Sequence, residues 1–234
     1  MTTNRCFFVL AGCAIVLLGK VVKADEVLID RPPNPLVLGA RDQDYPDFPE
    51  FSTFVVASVL FDTNVELTAI TGYYTNLGKL WPQNELAPAV FNVFQGDLQH
   101  DDDPRLGKLV NAFYMVDENG LEVTWDLTKT ASPLILQGDT QYWIGLTPKL
   151  SFGIFGNQNR QASDVGPNSM VRNPGGGFGL GSEWTDVGDF FGFGDYSAAI
   201  TIRGNVIPEP GLLGFLFVGL LIAVFPRHRR RRDA

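Results

Sequence analysis

Residues 121–127 read Leu121-Glu122-Val123-Thr124-Trp125-Asp126-Leu127. Every odd position is apolar and every even one polar. That period of two puts one face of a β-strand in a core and the other in water. A second run, Ala89–Gln95, sets Val90, Asn92 and Phe94 on one face and Phe91, Val93 and Gln95 on the other. Apolar groups on both faces predict a strand covered from both sides.

Working outward, strand-like runs follow at short spacing: Thr53–Phe61, Val65–Tyr73, Leu106–Met115, Leu134–Leu136, Gln141–Thr147 and Ala198–Arg203. Turn signals separate them, at Glu118-Asn119-Gly120 and Gln137-Gly138-Asp139. No helix of three turns is visible between residues 25 and 206. The 25 Gly and 15 Pro of the 234-residue chain supply the punctuation such short strands need. The expected fold class is all-β, a single jelly-roll-like β-sandwich over residues 25–206.

Two stretches break the pattern. Residues 25–49 are polar and Pro-rich, with Arg31-Pro32-Pro33-Asn34-Pro35, and are expected to be irregular apart from one strand around Leu36–Leu38. Residues 150–195 carry Pro174-Gly175-Gly176-Gly177-Phe178-Gly179-Leu180-Gly181 and Phe190-Phe191-Gly192-Phe193-Gly194. They read as a long Gly-aromatic loop ending in an edge strand. Functional surfaces often sit on such loops, and flexible excursions look the same in sequence.

Charge narrows the function. The net charge of −8 conceals an acidic body, since residues 25–206 hold 10 Lys+Arg against 24 Asp+Glu. A body near −14 repels phosphate backbones, which excludes nucleic acid as a partner. Both cysteines, Cys6 and Cys13, lie near the N-terminus, so the body has neither a disulfide framework nor a Cys nucleophile.

The residues that could carry chemistry are few. His100 is the only histidine in the body, and its surroundings, Gln99-His100-Asp101-Asp102-Asp103-Pro104, are those of a solvated loop. Zinc sites of several His or Cys have no ligands to draw on. Asp101, Asp102 and Asp103, and more weakly Asp42, Asp44 and Asp47, are candidate calcium ligands, because calcium takes six to eight oxygens. Neither cluster has the EF-hand's central Gly and distal Glu. Glycosidases need only two carboxylates, and no pair is marked among the acids. The Gly-rich 175–181 stretch lacks the Lys-Ser/Thr of a phosphate loop. Trp125 and Trp143 sit in alternating strands and read as core. Trp81 and Trp184 sit in loops and are candidates to stack on sugar rings, whose C–H faces suit an aromatic surface.

The two ends read as targeting elements. Residues 1–24 form a secretory signal peptide, with Arg5, an apolar run from Cys6 to Gly19, and small residues that place cleavage between Ala24 and Asp25. A rival lipobox, Leu10-Ala11-Gly12-Cys13, falls inside the apolar run instead of closing it. At the other end, Ile207-Pro208-Glu209-Pro210-Gly211 precedes an apolar run over residues 212–225, then Pro226 and Arg227-His228-Arg229-Arg230-Arg231-Arg232. The two prolines favour an extended backbone. As a helix the apolar run measures about 21 Å, short against roughly 30 Å of hydrocarbon. The Arg cluster should remain cytoplasmic by the positive-inside rule, leaving 25–206 outside.

A Pro-Glu-Pro motif, a short apolar helix and an Arg-rich end, in that order, resemble the PEP-CTERM sorting signal of Gram-negative bacteria. The resemblance covers residues 207–234. It implies recognition by exosortase, a membrane-embedded processing enzyme, with Pro208, Glu209 and Pro210 as residues acted upon. It also implies a transient anchor in the inner membrane and a final address at the cell surface or outside the cell. Ile207 stands where the family often has Val. The body is similar to choice-of-anchor ectodomains through Phe51-Ser52-Thr53-Phe54, Gly138-Asp139-Thr140-Gln141-Tyr142-Trp143 and Ala199-Ile200-Thr201-Ile202-Arg203-Gly204. The resulting expectation is a non-enzymatic surface or extracellular-matrix protein. A carbohydrate-binding module for exopolysaccharide is the rival, and a secreted glycan-active enzyme the third reading.

Overall fold

The computed structural model describes residues 25–34, 40–76, 85–116, 121–151, 155–157, 159–161, 168–179, 182–191 and 196–208. The chain is all-β, as its alternation predicts. Its strands are β1 (Glu26–Arg31), β2 (Ala40–Arg41), β3 (Phe54–Phe61), β4 (Val65–Asn76), β5 (Glu85–Gln95), β6 (Lys108–Val116), β7 (Leu121–Asp126), β8 (Leu134–Leu136), β9 (Thr140–Pro148), β10 (Phe155–Asn157), β11 (Asn159–Gln161), β12 (Met170–Arg172), β13 (Thr185–Asp186), β14 (Tyr196–Ala198) and β15 (Ile200–Val206). One short helix, α1 (Val187–Phe191), follows β13.

Thirteen of these strands form a curled antiparallel sheet, and β11 pairs with β14 as a separate two-stranded ladder. Hydrogen bonding runs unbroken along β1-β15-β4-β7-β6-β5-β9-β3-β12-β13, where two separate layers were expected. The bend is explained by the stagger of β5. Its residues Glu85–Phe91 pair with β6, while Ala89–Gln95 pair with β9. Only Ala89, Val90 and Phe91 have a partner on both sides, so the sheet turns over there without being cut. Pro88, which lacks a backbone donor, sits just before the β9 pairing begins, where an N–H toward β9 is not needed.

The curl brings the two halves face to face. Ile70, Val123 and Ile202 from one half meet Val55, Ala57 and Ile144 from the other, all nearly without solvent exposure. The Tyr74 hydroxyl crosses this core to donate to the Leu146 carbonyl, joining β4 to β9. Between them remains a void of about 10 Å³, room for at most one water. Residues 121–127 behave as read: Leu121, Val123, Trp125 and Leu127 are buried, and Glu122, Thr124 and Asp126 alternate outward. Trp125 packs edge-on against Phe91 at 4.1 Å. In β5, Val90, Phe91 and Asn92 are all buried, so this stretch is covered on both faces.

Two expectations need correction. Residues 26–31 form β1, an edge strand on β15, where irregular chain was expected. A register shift between Val27 and Ile29 breaks the alternation that would have announced it. The region 150–195 is not one loop. It supplies β10 to β13 and α1, with β12 joining β3 and β10 joining β4. Its Gly-rich turn is clamped: the Gly177 N–H donates to the Glu50 carbonyl at 2.9 Å, and Phe178 lies between the Phe51 ring and the Arg41 guanidinium. The expected strand at Leu36–Leu38 and the turn at Glu118-Asn119-Gly120 lie outside the described residues. No described helix is long and apolar enough to cross a membrane, and residues 212–225 lie outside that description.

Candidate functional site

Two regions of the molecule hold the residues singled out from sequence. The first is a loop platform on the outer face of β5, β9 and β3. It begins with the turn at residues 97–107. Asp103 caps a short 3-10 turn, Pro104–Leu106, accepting from the Arg105 N–H at 3.0 Å. The same carboxylate takes a forked pair of hydrogen bonds from the Arg105 guanidinium, at 2.9 and 2.5 Å. These bonds hold Asp103 below the usual carboxylate range. The Asp102 carboxylate accepts from the Gln99 N–H at 2.7 Å, and Asp101 is exposed.

The structure brings Trp184 to this acidic turn. The Trp184 indole N–H donates to the Asp102 carbonyl at 3.1 Å, and its ring sits T-shaped on Phe94 of β5 at 5.6 Å. Arg172 of β12, itself buried, donates to the Asp102 carbonyl at 2.8 Å and to the Ser182 carbonyl at 2.6 Å. Its guanidinium lies 5.9 Å from the Trp184 ring. At the rim, the His100 imidazole donates to Glu183 at 2.6 Å. Two loops far apart in sequence are thus tied to each other and to the sheet.

Chemically, this arrangement is a set of clamps. The Asp102 and Asp103 carboxylates already have donors, and the Trp184 ring is half-buried with one edge on Phe94. Among the described residues no group of three or more His, Cys, Asp or Glu side chains gathers around a common point. Trp143 is half-buried and donates to the Gly96 carbonyl at 2.9 Å, supporting the same platform from below. Arg172 was not singled out from sequence. Its short context, Met170-Val171-Arg172-Asn173, offers no signal, because the partners come from two distant loops. Trp81 lies outside the described residues.

The second region is the edge where β1 and β15, the first and last described strands, meet. Asp25 accepts from the Thr68 hydroxyl and, at 2.9 Å, from the Arg203 guanidinium, which together draw its carboxyl below the usual range. Glu26 pairs in register with Gly204, so β1 starts where β15 finishes. The Ile207 N–H donates to the Asn64 carbonyl at 2.8 Å, and Pro208 is exposed beyond it. Ala24, Glu209 and Pro210 lie outside the described residues. Asp25 and Val206, which bound the body read from sequence, therefore sit close together at one edge of the sheet.

No protein-family model matches the chain. No curated protein matches it either.

Proposed function

We propose that the chain is an exported, non-enzymatic surface or extracellular-matrix protein, sorted through its C-terminal Pro-Glu-Pro segment. In this reading a jelly-roll-like sandwich over 25–206 is the cargo, residues 1–24 direct export, and residues 207–234 hold the protein at the inner membrane until exosortase acts. The observation that carries it is the placement of the two boundaries. Asp25 and Ile207 flank the adjoining strands β1 and β15 and, among the described residues, are the outermost ones bonded to the sheet at either end. In this reading the export signal and the sorting tail both lead away from that edge, with the sheet on one side of a single membrane. Pro208, the first residue of the motif, is exposed directly after the last anchored backbone group among the described residues, which suits access by a processing enzyme.

The test is the intact mass of the protein recovered from its native cells and medium. The expected species begins at Asp25 and ends within Pro208–Pro210. Recovery of a chain that retains Arg232 would show a permanent anchor, and one beginning at a lipid-modified Cys13 would replace the export signal proposed here.

A further inference from the structure

We propose that the groove between β6 and β7 docks an extended peptide segment, which adds to the free edge of β6 as a strand, acidic on one face and apolar on the other. β6 pairs with β5 from Lys108 to Tyr114, but with β7 only from Phe113 to Val116. Beyond Phe113 the two strands splay apart. Trp125 and Asp126 of β7 pair with β4 alone. Among the described residues, 108–112 of β6 thus have a strand on one side and none on the other, which leaves alternate backbone groups without a strand partner there. Such an edge is a template for another strand.

The gap is a groove of about 1270 Å³. That exceeds the few hundred to about 1,000 Å³ of ordinary small-molecule pockets. Its lining comes from both faces of the sheet. Lys108, Val110 and Trp125 belong to the inward face, and Leu86, Phe113 and Met115 to the outward one. A sheet groove lined from both faces has the shape of a missing strand, whose alternate side chains would reach one set and then the other. A sugar chain would use one face and leave the backbone unpaired.

The chemistry of the two faces sets the occupant. On the inward side, the Lys108 ammonium lies 5.7 Å from the Trp125 ring and has no carboxylate partner among the described residues. Lys129 stands nearby, already paired with Asp126 at 3.0 Å. In a body with so few cations this favours acidic side chains on the occupant. On the outward side Leu86 is 70%, Leu109 58% and Phe113 40% exposed. Bare apolar groups at this density mark an interaction surface, which favours apolar side chains at the alternate positions.

The experiment selects displayed random heptapeptides against the full chain in mild detergent and measures the enriched peptides by calorimetry and hydrogen exchange. The expected winners alternate acidic and apolar residues. They should slow exchange at alternate amides of residues 108–112 and lose about tenfold in affinity with Lys108→Glu. Phe113→Ser, whose folding is checked by circular dichroism, should weaken them as well. No enrichment, or winners that bind both variants as well as the parent, would overturn the proposal. So would polygalacturonate binding in place of peptide with no amide protection, or a dimer in sedimentation that Phe113→Ser abolishes.

Discussion

Replacing Trp184 with Ala separates a structural tryptophan from one that waits for a sugar. Truncating a fully buried Trp costs about 3–5 kcal/mol. Trp184 is half-buried, with one ring edge on Phe94, so about half of that applies. The substitution also leaves the Asp102 carbonyl without its indole donor, worth about 1 kcal/mol. Arg172 still donates to that carbonyl, so no buried acceptor is orphaned. The total is about 3 kcal/mol, or a fall in Tm of roughly 6–12 °C for a domain of this size. Thermal unfolding of the full chain, followed by near-UV circular dichroism, reads it directly. Trp184→Phe should recover most of the loss, lacking only the N–H bond. An Ala variant that melts with the parent, yet has lost binding on a glycan array, would refute the clamp and make Trp184 a ligand platform.

Two more outcomes follow from packing and burial. In Gly175→Ala the new methyl would run into the Glu50 backbone, and such overpacking costs about 1–3 kcal/mol. Limited proteolysis should then cut residues 174–179 earlier, and unchanged resistance with an unchanged Tm would show that the turn is not clamped. Burial raises the phenols of Tyr114 and Tyr196 far above their ordinary value of 10.0. The unfolded chain ionises near that value and the folded one does not, so their contribution holds below about pH 10 and is lost as pH rises above it. Tyrosinate absorbance from at least two of the six tyrosines should appear only together with loss of the far-UV signal. Complete ionisation in a chain that is still native would contradict the burial of these two side chains.

The strands were legible wherever alternation was strict. Leu134–Leu136 falls where it was read, and β3, β4, β7 and β9 begin within a residue of expectation. Periodicity reports burial, and these strands are buried on at least one whole face. It failed for β1, where a bulge at Val27/Ile29 and an edge position leave Val27 and Asp30 exposed beside half-buried neighbours. It failed again in 150–195, whose strands of two and three residues are too short to show a period. What holds that region is partnership with β3, β4 and the Glu50 backbone, and no local pattern encodes distant partners. The loop platform was half legible: the turn at Asp101–Asp103 and the loop Trp184 could be named, but their meeting through Arg172 could not.

The stagger of β5 connects these observations. Because β5 hands the sheet from β6 to β9 over only three shared residues, the two halves are free to curl until Ile70 and Ile202 reach Val55 and Ile144. The outer face of β5 and the edge of β6 beside it fare differently. Toward Gln95 the outer face is sealed, since the 97–107 turn and Trp184 are drawn down over Phe94. Beside Ala87–Phe91 the other edge of β6 diverges, since β6 parts from β7 at Phe113 and residues 108–112 have no second strand among the described residues. The open edge is set by where β6 parts from β7, outside the hand-over to β9, so a strand added there leaves the meeting of Ile70 and Ile202 with Val55 and Ile144 in place.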